Sequence, residues 1–274
     1  MQNSYKQLTL ERYYFSFIYG LAHRHKEAFM DAKEKIILAL DVNSREEALE
    51  LVRIFRNFVS MFKVGLRLFV ACGPNLVKEI IGQGNKVFLD LKFNDTPKTV
   101  GEATKEASML GVEMFTVHAS AGISAMKEAV ANKGNSKLLI TTVLTSLSDN
   151  HLNPRNTTRY ILGEITQQKV RHFSEDAVYV GADGITCSPQ DLKMLEFHMG
   201  HESFRRLLKV TPGICETNDL PSGQKRTMTA REAILDGADY LVLSRVITET
   251  KVGSPMNALL RITAEISSVE RRTN

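Results

Sequence analysis

The feature that most constrains this chain is a repeated switch of hydrophobic period. From Lys35 onward, short apolar or β-branched runs alternate with longer helical patterns, and the alternation completes eight times. The expected strands are 36–41, 60–66, 86–91, 113–118, 138–144, 182–186, 207–211 and 238–243. Helical patterns fill each interval. Ser44 with Glu47 is a capping-box pattern, 75–81 reads as a helix, and Pro97 is tolerated at a helix's first turn. Strands separated by helices need parallel crossover connections. Eight such units select a closed TIM (β/α)8 barrel, an α/β single domain. Periodicity alone leaves an open doubly wound sheet as the alternative.

Length and composition fit that answer. A chain of 274 residues suits one barrel, and 43% hydrophobic with 24% charged residues is ordinary for a globular protein. No Pro/Gly/Ser-rich linker divides it; the longest irregular stretches are 149–157 and 215–226. The net charge of +4 gives no sign of a nucleic-acid partner. No apolar run is long enough to span a bilayer, so no membrane partner is expected. Residues 13–22 are the nearest approach, and Glu11 and Ser16 dilute their faint likeness to a signal peptide. Cys72, Cys187 and Cys215 are far apart and form no CxxC or Cys/His cluster. That usage fits a reducing, cytoplasmic compartment and no structural zinc. Residues 1–29 read as an N-terminal extension, either an added helix or sequence outside the fold. Residues 30–274 read as the barrel domain, with Met30 a natural start.

Barrel enzymes place their chemistry at the C-terminal ends of the strands, and here those ends are polar. Strand one ends in Asp41, strand two carries Lys63, strand three runs Asp90-Leu91-Lys92 and is followed by Asp95, strand four ends in His118, and strand five runs into Thr145-Ser146. A charge within an apolar strand is costly unless paired. Alternation puts Asp90 and Lys92 on one side of strand three, facing the mouth, where Lys63 can meet them. A purely structural ion-pair layer would have the same pattern. The loop after strand seven holds Gln224, Lys225 and Arg226, and strand eight ends in Ser244-Arg245. Barrels commonly bind phosphate at these two places, and a guanidinium with backbone N–H groups suits a phosphate dianion.

With these residues in view, the run Asp90-Leu91-Lys92-Phe93-Asn94-Asp95 resembles the Asp-x-Lys-x-x-Asp signature of the orotidine 5′-phosphate decarboxylases. Ile37 to Asp41, Phe62 to Gly65, Val117 to Gly122, Thr142 to Ser146, Gly184 to Ser188, Val210 to Ile214 and Gln224 to Arg226 are similar to other segments of that family, in order, over residues 35 to about 265. The resemblance implies cofactor-free and metal-free decarboxylation of orotidine 5′-phosphate (OMP) to UMP by a homodimer with shared sites. It assigns ribose contacts to Asp41 and Lys63, a place beside the substrate carboxylate to Asp90, and the proton donor to Lys92. It sends Asp95 and Thr99 to the neighbouring subunit's site, and it gives the pyrimidine to Thr145 and Ser146 and the phosphate to Gln224 and Arg245. Ser244 stands where the family has glycine, Cys215 where it has arginine, Thr96 where it has isoleucine, and Lys98 where it has asparagine. The missing arginine's work is expected to pass to Lys225 or Arg226. Two alternatives remain: a magnesium-dependent sister enzyme acting on an acyclic sugar phosphate, and a non-catalytic UMP-binding barrel.

Overall fold

The computed structural model describes residues 23–147, 165–216, 226–250 and 252–273. Eight parallel strands close into a barrel: β1 (Ile36–Ala39), β2 (Met61–Gly65), β3 (Val87–Phe93), β4 (Met114–His118), β5 (Lys137–Thr141), β6 (Gly184–Thr186), β7 (Leu208–Pro212) and β10 (Tyr240–Leu243), which pairs with β7 on one side and β1 on the other. Closure settles the choice between barrel and open sheet. Two short strands, β8 (Ile214–Cys215) and β9 (Met228–Thr229), pair separately above β7. Most of the 149–157 and 215–226 stretches lies outside the described residues.

Strand alternation sorts the side chains into two cores. Ile36, Leu38, Phe62, Val64, Leu89, Phe115 and Ile140 face outward to the helices. Ile37, Ala39, Met61, Phe88, Met114, Leu139, Val210 and Val242 fill the barrel's interior. Gly184 belongs to this inner layer for a steric reason. A Cβ there would collide with the Leu208 carbonyl oxygen and lie 2.8 Å from Leu139. Because strand side chains repeat every second residue, each inner apolar residue predicts what sits above it. Lys63 stands above Met61, Asp90 above Phe88, Thr116 above Met114, Thr141 above Leu139, Pro212 above Val210 and Ser244 above Val242. The apolar plug is thus the floor of a polar mouth.

Local signals shape the connections. Ser44 Oγ accepts from the Glu47 amide at 3.2 Å, while the Glu47 carboxylate accepts from the Asn43 amide rather than that of Ser44. Pro97 occupies the first turn of the helix Pro97–Met109. The helical stretch Leu66–Gly82 begins well before residue 75 and is broken at Gly73, whose φ of 66° suits glycine ahead of Pro74. At the N-terminus the helix His23–Glu34 runs through position 30 and packs on the final helix, Pro255–Thr273. Phe29 is buried in that contact region. Position 30 therefore lies inside a helix whose Phe29 and Ala32 are buried.

Candidate active site

The strand ends surround a cleft of about 410 Å³, lined by Asp41, Lys63, Asp90, Lys92, Thr145 and Ser146 among others, with Phe88 and Val242 toward its floor. Ala39, Thr141, Val143, Leu144, Thr186, Cys187, Pro212 and Ser244 complete the wall. The expected charge network is present. Lys92 Nζ lies 2.7 Å from Asp90 Oδ1, and Lys63 Nζ lies 3.5 Å from Asp90 Oδ2 and 3.6 Å from Asp41 Oδ1. The Asp90 side chain is only 13% exposed. Burial alone pushes its carboxyl upward, but the charges of Lys63 and Lys92, with hydrogen bonds from Lys92 and Thr116, outweigh it and hold Asp90 below the usual carboxylate range.

Regular alternation does not aim Lys92. The pairing of β3 with β4 slips between Leu89 and Phe93, and Lys92 has a φ of 52°, the only positive value outside glycine among the described residues. A bulge of this kind re-aims a side chain, and here the re-aimed group is the ammonium beside Asp90.

Asp41 is held from both sides. Ser244 Oγ donates to its Oδ2 at 2.5 Å, and Arg67 donates to its carbonyl oxygen at 2.5 Å. Ser244, where the resembled family has glycine, thus has a definite partner. Arg245 lines an adjoining recess of about 70 Å³ with Asp41, Gly213, Ile214 and Ser244. Thr186 Oγ1 donates to Thr141 Oγ1 at 3.0 Å inside the cleft. Sequence reasoning misses these two threonines; their place two residues above Gly184 and Leu139 is the signal that finds them.

Other expected site residues lie elsewhere. Asp95 is exposed, its Oδ1 accepts from the Thr96 amide at 2.6 Å, and it forms no ion pair with Lys63 or Lys92 of its own chain. Thr99 is exposed on the following helix and shares a 3.0 Å hydrogen bond with Thr96. Neither they nor Thr96 line the chain's own cleft. Gln224 and Lys225 lie outside the described residues. Arg226 lines neither the cleft nor the recess beside Arg245. Its guanidinium is buried against Asp191, at 2.7 and 2.8 Å, and donates to the Val143 carbonyl. Cys215 is half-buried on β8 and lines neither the cleft nor the recess. Cys187 is in the wall, and burial pushes its thiol far above the ordinary range. His118 sits beyond the wall, with Nδ1 accepting from the Ser120 amide; burial, and then the charge of Lys92, lower its pKa.

A closed parallel barrel whose mouth presents alternating lysines and carboxylates over an apolar floor defines a class: barrel enzymes that handle small anionic substrates at their strand ends. Comparison with known proteins narrows it. Residues 34–262 match the family described as orotidine 5′-phosphate decarboxylase / HUMPS, and the chain belongs to that family. It is 42% identical to the orotidine 5′-phosphate decarboxylase of Nitrosococcus oceani, over 86% of this chain and 99% of that protein. Identity to the enzyme of the same name from Syntrophomonas wolfei is 39%, with the same coverage. Among solved structures, the orotidine 5′-phosphate decarboxylase of Lactobacillus acidophilus superposes with a TM-score of 0.67 at 30% identity, covering 85% of this chain and 99% of that one.

Proposed function

We infer that this chain decarboxylates OMP to UMP and CO₂, the last step of pyrimidine nucleotide synthesis. The family and its named relatives supply the reaction. The observation that carries its assignment to particular residues is the Lys63–Asp90–Lys92 network on the wall of the cleft.

Loss of CO₂ from C6 of the pyrimidine breaks the C6–carboxylate bond and leaves the electron pair at C6, in the ring plane. No neighbouring carbonyl accepts that pair as an enolate. A fixed positive charge beside C6 is then the group that lowers the barrier, and preorganised charge usually contributes more to catalysis than any other single effect. Lys92 supplies it. Its ammonium stabilises the carbanion and gives it a proton, forming UMP, and the resulting amine regains a proton from water. Asp90 is ionised and faces the substrate carboxylate, a repulsion relieved as CO₂ departs. Lys63 and Asp41 take the ribose hydroxyls, Thr145 and Ser146 the pyrimidine, and Arg245 with Gln224 the phosphate. Ser244 orients Asp41. The reaction so written requires neither metal nor cofactor.

The working unit we propose is a two-fold homodimer. Asp95, turned away from its own cleft, and Thr99 complete the partner's site. Supporting this, a second recess of about 330 Å³, lined by Gly65, Leu66 and Arg67, opens on the same Lys63, Asp90 and Lys92, and Leu66 in its lining and Val70 further along the same helix are largely exposed apolar groups. The proposed setting is the cytoplasm; no described helix is long and apolar enough to cross a membrane.

Substrate choice tests the reading. Offered OMP and 3-keto-gulonate 6-phosphate separately, the purified protein should consume OMP, followed by its ultraviolet absorbance, and leave the acyclic sugar phosphate untouched. Consumption of the sugar phosphate alone would assign the site to the sister reaction.

A further inference from the structure

The slip between β3 and β4 has one residue at its centre. Leu89 pairs with Phe115 and Phe93 with Val117, so three residues of β3, namely Asp90, Leu91 and Lys92, face the single residue Thr116 of β4. The bulge takes the Lys92 amide out of the regular strand ladder, and a buried amide needs another acceptor. Thr116 provides it. Its Oγ1 accepts from Lys92 N–H at 2.8 Å and donates to Asp90 Oδ1 at 3.1 Å. That same carboxylate oxygen receives the Lys92 ammonium at 2.7 Å. Thr116 is fully buried. One hydroxyl therefore closes a small ring through the backbone of Lys92, its side chain and the carboxylate of Asp90, using its one proton and a lone pair.

We propose that Thr116 is a positioning residue of the reaction, whose hydroxyl holds the left-handed backbone of Lys92 and fixes the Asp90 carboxylate so that the ammonium is presented to the cleft. Thr116 does not line the cleft, so it acts through Asp90 and Lys92. The inference rests on the decarboxylase reading and adds a residue to it. A filler role makes a different demand. In a fully buried strand position, valine would serve a filler role at least as well as threonine, whereas the positioning role requires the hydroxyl.

Two variants separate these roles. Thr116→Val keeps the shape and removes the hydroxyl; Thr116→Ser keeps the hydroxyl and removes a methyl group. With OMP as substrate, Thr116→Val should lower kcat on the order of 10- to 100-fold, the scale of losing a hydrogen bond to a charged group. Its UMP inhibition constant should stay within about threefold of wild type, because the loss falls on the transition state rather than on ground-state binding. Thr116→Ser should retain kcat within about fivefold, since the same hydrogen bonds remain available to it. If Thr116→Val is insoluble, Thr116→Ser against Thr116→Ala reads the hydroxyl at nearly equal size, and serine should be the faster by the same factor. The proposal is overturned if valine keeps kcat within about twofold, if serine falls as far as valine or alanine, or if UMP binding weakens in step with kcat. An active wild type with an unimpaired valine variant sinks this inference alone, while a wild type inert toward OMP sinks the decarboxylase reading and this inference with it.

Discussion

The two ends of the barrel both carry lysine–carboxylate networks, yet they are built differently. At the base, Lys137 meets Glu113 at 2.8 Å, Lys133 meets Asp183 at 3.0 Å and Lys209 meets Asp239 at 2.9 Å. Asp183 also accepts from the Leu138 amide, and Asp239 from the Lys209 amide. Each of these two carboxylates is thus tied to the backbone of a neighbouring strand. Glu113, Asp183, Lys209 and Asp239 alternate with inward residues and so point out of the barrel. At the mouth, Asp41, Lys63 and Asp90 continue the inward rows and open on a cleft. There a lysine is held at positive φ, a conformation that costs energy and persists where the surrounding structure holds it. The same residue types register strands at one end and line an open cleft at the other.

Breaking each end should therefore give opposite results. The largest effect is expected from Lys92→Ala. Turnover of OMP should fall by more than about 10³-fold, the scale set by removing a preorganised stabilising group. UMP affinity should stay within about tenfold, because in the proposed mechanism Lys92 acts mainly in the transition state. Titration calorimetry and a stopped assay check both. Turnover within tenfold of wild type would place the proton donor elsewhere.

Next in size is a recovery. Lys92→Ala and Asp95→Ala, each inactive alone, are mixed under conditions that exchange subunits. A mixed dimer holds one site with both lesions and one with neither, so random exchange should restore about a quarter of wild-type activity. Verified exchange with no recovery would confine each site to its own chain and remove Asp95 and Thr99 from the partner's site.

The smallest effect on activity belongs to the base. Asp239→Ala leaves Lys209 buried with only the carbonyls of Phe204 and Leu207 as acceptors. The Asp239 side chain is 37% exposed, so the loss should be about 1–2 kcal/mol in urea unfolding, less than for a fully buried pair, with kcat unchanged within about twofold. A large loss of kcat without loss of stability would break the division between the ends.

Much of the mouth is legible in the sequence because an unpaired charge in an apolar strand is too costly to be incidental. Lys63, Asp90 and Lys92 are marked by that cost, and Asp41 by its place at a strand end. Strand centres are readable from period and β-branching. Their ends are not. Residues 142–144 continue β5 in hydrophobicity but lie beyond it, and Val143 and Leu144 line the cleft. Thr116 gives no signal, since a threonine in a strand reads as a β-branched filler. The bulge at Lys92 is equally hidden, because its cause is a register slip between two strands and no single residue announces it. The buried pairing of Arg226 is hidden for a similar reason. Its partner Asp191 is 35 residues away in sequence, and only the fold brings them together.

The activity proposed for this molecule is turnover of OMP by the mouth network, without a metal or cofactor. The direct measurement is OMP consumption by protein dialysed against EDTA, with UMP and CO₂ quantified. Equal amounts of UMP and CO₂, formed at the same rate with and without the chelator, are the predicted result. No loss of OMP, or a loss that stops in EDTA and returns with magnesium, would contradict it.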